Sequence, residues 1–378
     1  MHGYYLFYKD IEAEAGRSFG IGKKVAAQIR VLNEQGCGCD FLFCPQPETT
    51  ASMVASCLPG LSDGIQWPDP ASLADADYLY IRRPRFASKD LIAFLQGFRQ
   101  VRPDALVIYE VPTFPYDGEM EAPKLRPALA KDRKWRERLK DYVNYVADLS
   151  GAGEIFGIPT IRITNGVDLD QVSVRTPRPE GDVIEMVQIA FFEPWHGTDR
   201  LLEGLAAYRD QGGERKLHLH LIGGGSQLGH LRAMAKQLGL EDVVTFHGPL
   251  GSEDLKEYYY RCSIAFESLG RHRNGNMGTS YSIKSREYLG VGIPFVYSMP
   301  VDLFLDNPVD FCLQIPQDDS PIDIQAVLDF HDRLYQNRTA EEVARQMRAY
   351  AEEHASMQSA FKNVVDRILS WEGHADQA

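Results

Sequence analysis

What most constrains this chain is a rhythm that occurs twice: short apolar runs alternating with amphipathic stretches of helical period. Such alternation is the pattern of βα units wound around a parallel sheet. In the first series the runs at 4–8, 40–44, 78–82 and 105–111 read as strands, and 21–34, 88–101 and 131–149 as helices. Ile21, Val25, Ile29 and Leu32 fall on one face of the first helix. The second series places strands at 186–191, 217–222, 243–246, 263–266 and 295–297, with helices at 198–210, 228–238, 252–261 and 281–289. Between the two lies ITNGVDLDQVSVRTPRPEGD (163–182), rich in Gly, Pro and charge, which suits a domain boundary. The 378 residues exceed one ordinary core, so the pattern predicts two α/β domains, 1–165 and 166–353, followed by a terminal segment 354–378. No internal repeat is visible.

Charge separates the halves. Residues 1–165 carry 20 Lys/Arg against 21 Asp/Glu, whereas 166–378 carry 20 against 32. An acidic second half argues against a general nucleic-acid binder, which needs a basic face. The six cysteines show no paired CxxC spacing, so reduced thiols are expected, with no metal. MHGYYLFYKD is charged within ten residues and reads as a first strand rather than a secretory signal. No stretch is long and apolar enough to span a bilayer, and a cytoplasmic location is expected.

Ligands of doubly wound sheets bind at the carboxyl ends of the strands, and polar motifs fall at those ends. GRSFGIGKK puts Gly16, Gly20 and Gly22 before a helix whose first turn carries Lys23 and Lys24, a candidate anion contact or simply a flexible connection. LHLHLIGGGSQLGHL, with Gly223, repeats the strand–glycine–helix pattern without a full dinucleotide fingerprint. His218 and His220 alternate on one side of that strand and read as sheet-face residues. FFEPWHGTDRLLEGL projects Trp195 and His196, either toward a sugar or phosphate or into a packed corner.

In SYSIKSREYLGVGIPFV (280–296), Ser280 is the expected cap of a helix starting at Tyr281, and the loop 274–280 would aim backbone N–H groups at one point. Lys284 and Glu287, three residues apart, share a face: the lysine suits a phosphate and the carboxylate a ribose. An exposed Lys–Glu pair would account for neither the glycine loop before it nor the apolar strand after it.

The stretches ITNGVD, FFEPWHGTDRLLEGL, LHLIGGGSQ, LGLEDVVTFHGPL and SIKSREYLGVGIPFV occur in an order that resembles bacterial family 4-like glycosyltransferases. That resemblance implies the GT-B fold: two Rossmann-like doubly wound domains facing across a cleft, with a C-terminal helix crossing back to the first. It implies a nucleotide-sugar donor, a UDP-sugar favoured and a GDP-sugar the alternative, and no permanently bound cofactor. Glu287 then corresponds to the ribose-binding glutamate. Gly278, Thr279 and Ser280 correspond to the diphosphate and sugar loop, and Gly20 to Gly22 to the donor-facing glycine turn. Thr279 stands where the family often has a second glutamate, and Glu267 lies too far upstream to replace it by spacing alone. The first domain holds no histidine beyond His2, although many relatives use one beside the donor sugar.

A retaining enzyme of this kind needs no protein nucleophile, and Lys284 with loop amides would stabilise the leaving diphosphate. An inverting one needs a carboxylate base, and YEVPTFPYDGEME offers Glu110, Asp117 and Glu119 on the acceptor side, although Asp117–Gly118 also suits an ordinary turn. A nucleotide-sugar epimerase or a non-catalytic binding partner could share the architecture. The expected acceptor is a glycan or lipid-linked molecule in polysaccharide synthesis. KDRKWRERLK (131–140) and IRRPRF (81–86) are basic enough to rest the first domain on an anionic membrane, or to be a solvated helix face.

Overall fold

The computed structural model describes residues 1–13, 20–47, 49–120, 122–178, 181–274 and 278–372. The chain divides into two compact units, Met1–Gly166 with Met357–Ala378, and Val167–Ser356.

Unit 1 is built on strands β1 (Gly3–Phe7), β2 (Cys39–Phe43), β3 (Tyr78–Arg82), β4 (Leu106–Val111), β5 (Tyr145–Asp148), β6 (Glu154–Ile155) and β7 (Ile158–Arg162), in the sheet order β2-β1-β3-β4-β5-β7-β6. All pairs are parallel except β6 with β7. Every residue of β3 and β4 is buried, which is why these strands read as continuous apolar runs rather than alternating ones.

Three details depart from the sequence reading. The single helix expected over 131–149 is a helix Arg126–Arg136, with Pro127 in its first turn, a short 3-10 turn and then β5. Asn144 turns the chain there: its Oδ1 accepts from Val107 N and Arg99 Nη2, so the backbone joins the sheet. Secondly, the helix Gly20–Glu34 begins at Gly20, so Gly20 and Gly22 lie in its first turn rather than in a preceding loop; Gly16 lies outside the described residues. Thirdly, the helix Thr50–Cys57, capped by Thr49, gave no clear sequence signal. The helix Met357–Leu369 packs within unit 1, with the Phe361 ring 5.3 Å from Tyr80 and Asn363 Nδ2 donating to Arg162 O at 2.9 Å.

Unit 2 carries β8 (Val183–Ile189), β9 (Lys216–Ile222), β10 (Val244–Gly248), β11 (Ile264–Phe266), β12 (Phe295–Tyr297) and β13 (Cys312–Gln314), all parallel, in the order β10-β9-β8-β11-β12-β13. Counted from β8, this is the order 3-2-1-4-5-6, which changes direction between β8 and β11. Connections leave to opposite faces at such a point, so a crevice opens at the carboxyl ends of the two strands. The six cysteines are free thiols. Among the described residues, no helix is long and apolar enough to cross a membrane.

Candidate active site at the switch point of unit 2

The loops leaving β8 and β11 run side by side. Leu269 N donates to His196 O at 2.9 Å and Gly270 N to Trp195 O at 3.1 Å. Beneath them the buried Gln188 amide donates to both His196 O and Glu267 O at 3.1 Å, and accepts from Thr198 Oγ1 at 2.8 Å. Gly197 makes the approach feasible: its φ is +62°, and a Cβ there would lie 2.7 Å from Gly270 N. Gly223 has a related duty at the end of β9, where a Cβ would meet Ala190 O at 1.8 Å. It joins two strand ends; its glycine identity follows from that close approach.

Glu267, the first residue after β11, is buried at the centre of this platform. Ser282 Oγ donates to its Oε1 at 2.6 Å, Ser268 N donates to Oε2, and Arg271 Nη2 lies 3.7 Å from Oε1. Burial alone would raise its carboxyl, but Lys284, Arg271 and the Ser282 hydroxyl hold it below the usual range. Burial in turn lowers Lys284 and neighbouring Arg271 adds to this, while Glu267 opposes it. Lys284 Nζ donates to Ser268 Oγ at 3.2 Å. Chain spacing had set Glu267 aside; the parallel sheet brings it beside the helix that carries Lys284.

That helix is Ile283–Val291, with Ser282 at its cap position, two residues later than expected. Ser280 instead bridges to Val301, its N–H donating to Pro300 O at 2.7 Å, so this amide is occupied within the fold. Ser282 makes no side-chain cap, because its hydroxyl is directed to Glu267; the first-turn N–H groups therefore lack that partner. Glu287 is half-buried on the same helix, electrostatically coupled to Lys284 and Tyr259. Arg286 is fully buried and bidentate to Asp302, at 2.5 and 2.6 Å. Gly278 is exposed and Thr279 half-buried; residues 275–277 of the expected glycine loop lie outside the described residues.

His196 is buried, and its Nδ1 accepts from Glu193 N at 3.1 Å. Burial, reinforced by the nearby charges of Lys284 and Arg271, pushes it down to about 4. At neutral pH it is an uncharged imidazole whose proton sits on Nε2, a hydrogen-bond donor rather than a cation. Trp195 is half-buried beside it, the two rings 5.9 Å apart. Phe191, at the end of β8, is 69% exposed.

The carboxylates expected on the acceptor side are engaged. Glu110 is fully buried; burial would raise it, but Arg82 and Lys24 bring it to about 2, and Tyr80, Tyr5 and Gln28 also donate to it. A carboxylate so strongly ionised and enclosed makes a poor base for a hydroxyl. Asp117 is bound by Arg136 at 2.5 Å and Arg133 at 2.7 Å, which lower it. The Glu119 side chain lies outside the described part. Away from these sites, Glu185, His220 and Cys262 each place a potential metal-ligand atom within 4.8 Å of the others, but Arg261 grips both Glu185 oxygens, so an ion would have to displace it.

Residues 174–298 match the family model of Glycosyl transferases group 1. Among curated proteins, no sequence matches significantly. Solved structures share the architecture. A glycosyltransferase from Rickettsia africae has TM-score 0.60 at 10% identity, covering 98% of each chain. Alr3699/HepE from Anabaena, in complex with UDP, has TM-score 0.60 at 14% identity, covering 98% of this chain and 100% of its own. Sucrose-phosphate synthase from Thermosynechococcus elongatus has TM-score 0.61 at 14% identity, with the same coverage. The two parallel-sheet units therefore have the GT-B fold. The matched family model, over residues 174–298, is that of a glycosyltransferase.

Proposed function

We propose that the protein moves a sugar from a nucleotide-sugar donor, a UDP-sugar by preference, to a glycan or lipid-linked acceptor with retention of anomeric configuration, in the cytoplasm. The observation that carries this reading is the cluster at the unit 2 switch point: Lys284 and Arg271 around buried Glu267, at the start of a helix whose cap hydroxyl is directed elsewhere. A helix N-terminus with adjacent cations suits a diphosphate, and Glu287 one turn on suits a ribose. The UDP named with the Anabaena structure favours a uridine donor.

Retention is supported from unit 1, where Glu110 is enclosed and Asp117 is held by two arginines, so neither resembles a free base for inversion. Charge on the diphosphate grows as the glycosidic bond breaks; Lys284 and the helix amides stabilise it there, and neutral His196 offers Nε2–H. No covalent protein intermediate is needed. Thermal-shift comparison of UDP, GDP and ADP, followed by turnover of the matching nucleotide-sugars, tests the reading. A UDP-induced rise in Tm with acceptor-dependent release of UDP is expected. Failure of all three nucleotides to stabilise the protein counts against it, and isomerised donor formed without acceptor would indicate an epimerase.

A further inference from the structure

One face of the unit 2 sheet carries a polar cluster where parallel strands usually present apolar side chains. The register pairs Glu185 of β8 with His218 of β9, and His220, two residues on, points to the same side. Ser263 N donates to Glu185 O at 2.8 Å, which draws the neighbouring Cys262 to the same place. A carboxylate oxygen, an imidazole nitrogen and a thiol sulfur thus lie within 4.8 Å of one another, and both His220 and Cys262 are buried. Chain spacing gave no metal motif because these ligands come from three separate elements.

Oxygen, nitrogen and sulfur together suit a zinc-type ion, whose bond lengths set ligand atoms about 3.3–3.8 Å apart, so the three need to close by about 1 Å. His220 must also offer a lone pair. Its Nε2 now donates to Glu185 Oε2 at 2.8 Å, its Nδ1 pairs with His247 Nε2 at 2.9 Å, and Tyr258 OH pairs with His247 Nδ1 at 3.1 Å. Burial lowers both imidazoles, so each carries one proton at neutral pH. Such a chain can run either way. Moving each imidazole proton to Nδ1 frees His220 Nε2 and keeps the contacts to His247 and Tyr258, the outer partner that a metal-binding histidine needs. Burial keeps Cys262 a thiol, so its proton passes to solvent when the sulfur binds. Arg261 is the competitor: its Nε and Nη2 hold the Glu185 oxygens at 2.6 and 2.7 Å, but with 34% of the side chain exposed it can move to water.

We propose that Glu185, His220 and Cys262 form a site for a zinc-type divalent ion, which displaces Arg261 from the carboxylate, takes water as its fourth ligand and ties β8 and β9 to the chain entering β11. The site does not depend on the donor-binding reading above.

Cobalt(II) titration of the full chain, treated first with chelator and followed by absorption, provides the test. The wild type should develop a thiolate-to-cobalt charge-transfer band, and zinc should bleach the band and raise Tm. Cys262→Ser should abolish the band and His220→Gln the binding. His247→Ala, which removes only the outer partner of that imidazole, should weaken binding by about 10- to 100-fold. Arg261→Ala should tighten it by about 10-fold, because a like charge beside the ion is gone. Exposed His230, changed to Ala, should have no effect. A wild type without the thiolate band, a band that survives in folded Cys262→Ser, or no tightening in Arg261→Ala would overturn the proposal and leave the cluster a polar scaffold. If Cys262→Ser does not fold, loss of the band in His220→Gln serves in its place.

Discussion

Glu110 and Glu267 are the same residue type in comparable places, at the carboxyl end of an inner parallel strand, each buried with two cations nearby. Their surroundings differ. Around Glu110, Arg82 and Lys24 are themselves over nine-tenths buried, and Tyr80, Tyr5, Gln28 and Asn165 complete the network. Around Glu267, one cation is partly exposed, holds the carboxylate only at long range and keeps donors to spare. The count of charges is equal in the two clusters. What separates scaffold from candidate site is whether the cations are saturated.

The sharpest way to break this comparison is to remove each carboxylate. Glu110→Ala leaves Arg82 and Lys24 charged and buried, and should cost about 3–5 kcal/mol of stability. Glu267→Ala should cost less, about 1–3 kcal/mol, because its cations have solvent on one side. Denaturant unfolding of the two variants checks this. Equal losses would mean that the clusters are alike and that the unit 2 cluster is also scaffold.

Acid should separate the units next. Glu110 sits at about 2, below the 4.5 of an ordinary glutamate, so its contribution is present above about 4.5 and is lost as pH falls toward 2. His196 and His220 sit at about 4, below 6.5, both chiefly through burial. Between those values the unfolded chain binds the extra protons, so stability is full above pH 6.5 and declines toward pH 4. The slope is about 1.4 kcal/mol per pH unit for each imidazole. Hydrogen exchange followed from pH 7 to 4 should show unit 2 loosening first, and His220→Gln should flatten part of its slope. If unit 1 loosens first, the assignment of neutral buried imidazoles fails.

Much of this was legible in the sequence, for a physical reason. β11 and β12 are buried apolar runs, β8 and β9 are mostly apolar with buried inner positions, and the helix Thr198–Asp210 carries Leu201, Leu202 and Leu205 on its inner face. β7 and β13 are partly exposed and form no continuous apolar run, and β5 follows so closely on the helix Arg126–Arg136 that it reads as its continuation. In the site, Lys284 and Glu287 could be picked out because they share a helix. Ser280 was the expected cap; its pairing with Pro300 and the direction of the Ser282 hydroxyl to Glu267 involve tertiary partners that local sequence does not show. Glu267 itself was dismissed on chain distance, which is irrelevant once parallel strands align their ends. Arg271 left no signal beyond its charge.

Within the switch-point cluster, Glu287→Ala should weaken UDP binding by about 1–3 kcal/mol with the fold intact, the scale of lost hydrogen bonds to a charged acceptor. Lys284→Ala should chiefly lower kcat, because charge on the leaving group grows in the transition state. Normal turnover with a raised donor KM would reduce Lys284 to ground-state binding. An unchanged UDP affinity in folded Glu287→Ala would remove the ribose assignment.

The smallest expected effect concerns the surface of unit 1 and the proposed lipid-linked acceptor. The basic run 131–140 is less available than its composition suggested: Lys131 is buried, donating to Ser56 O and Leu61 O, and Arg133 and Arg136 are held by Asp117. The Lys131 contact nevertheless brings 56–61 against the basic helix, and Val54, Leu58 and Leu61 are 61%, 42% and 50% exposed. An apolar rim, with Lys134 and Lys140 exposed in the same unit, suits shallow contact with an anionic bilayer. Each such lysine would add about 1 kcal/mol. Co-sedimentation with anionic vesicles should weaken modestly when Lys134 and Lys140 become Gln and at high salt, whereas Leu61→Ser should reduce binding at any salt. Equal partition onto neutral and anionic vesicles would leave only the apolar rim, and no binding at low salt would leave unit 1 without a membrane role.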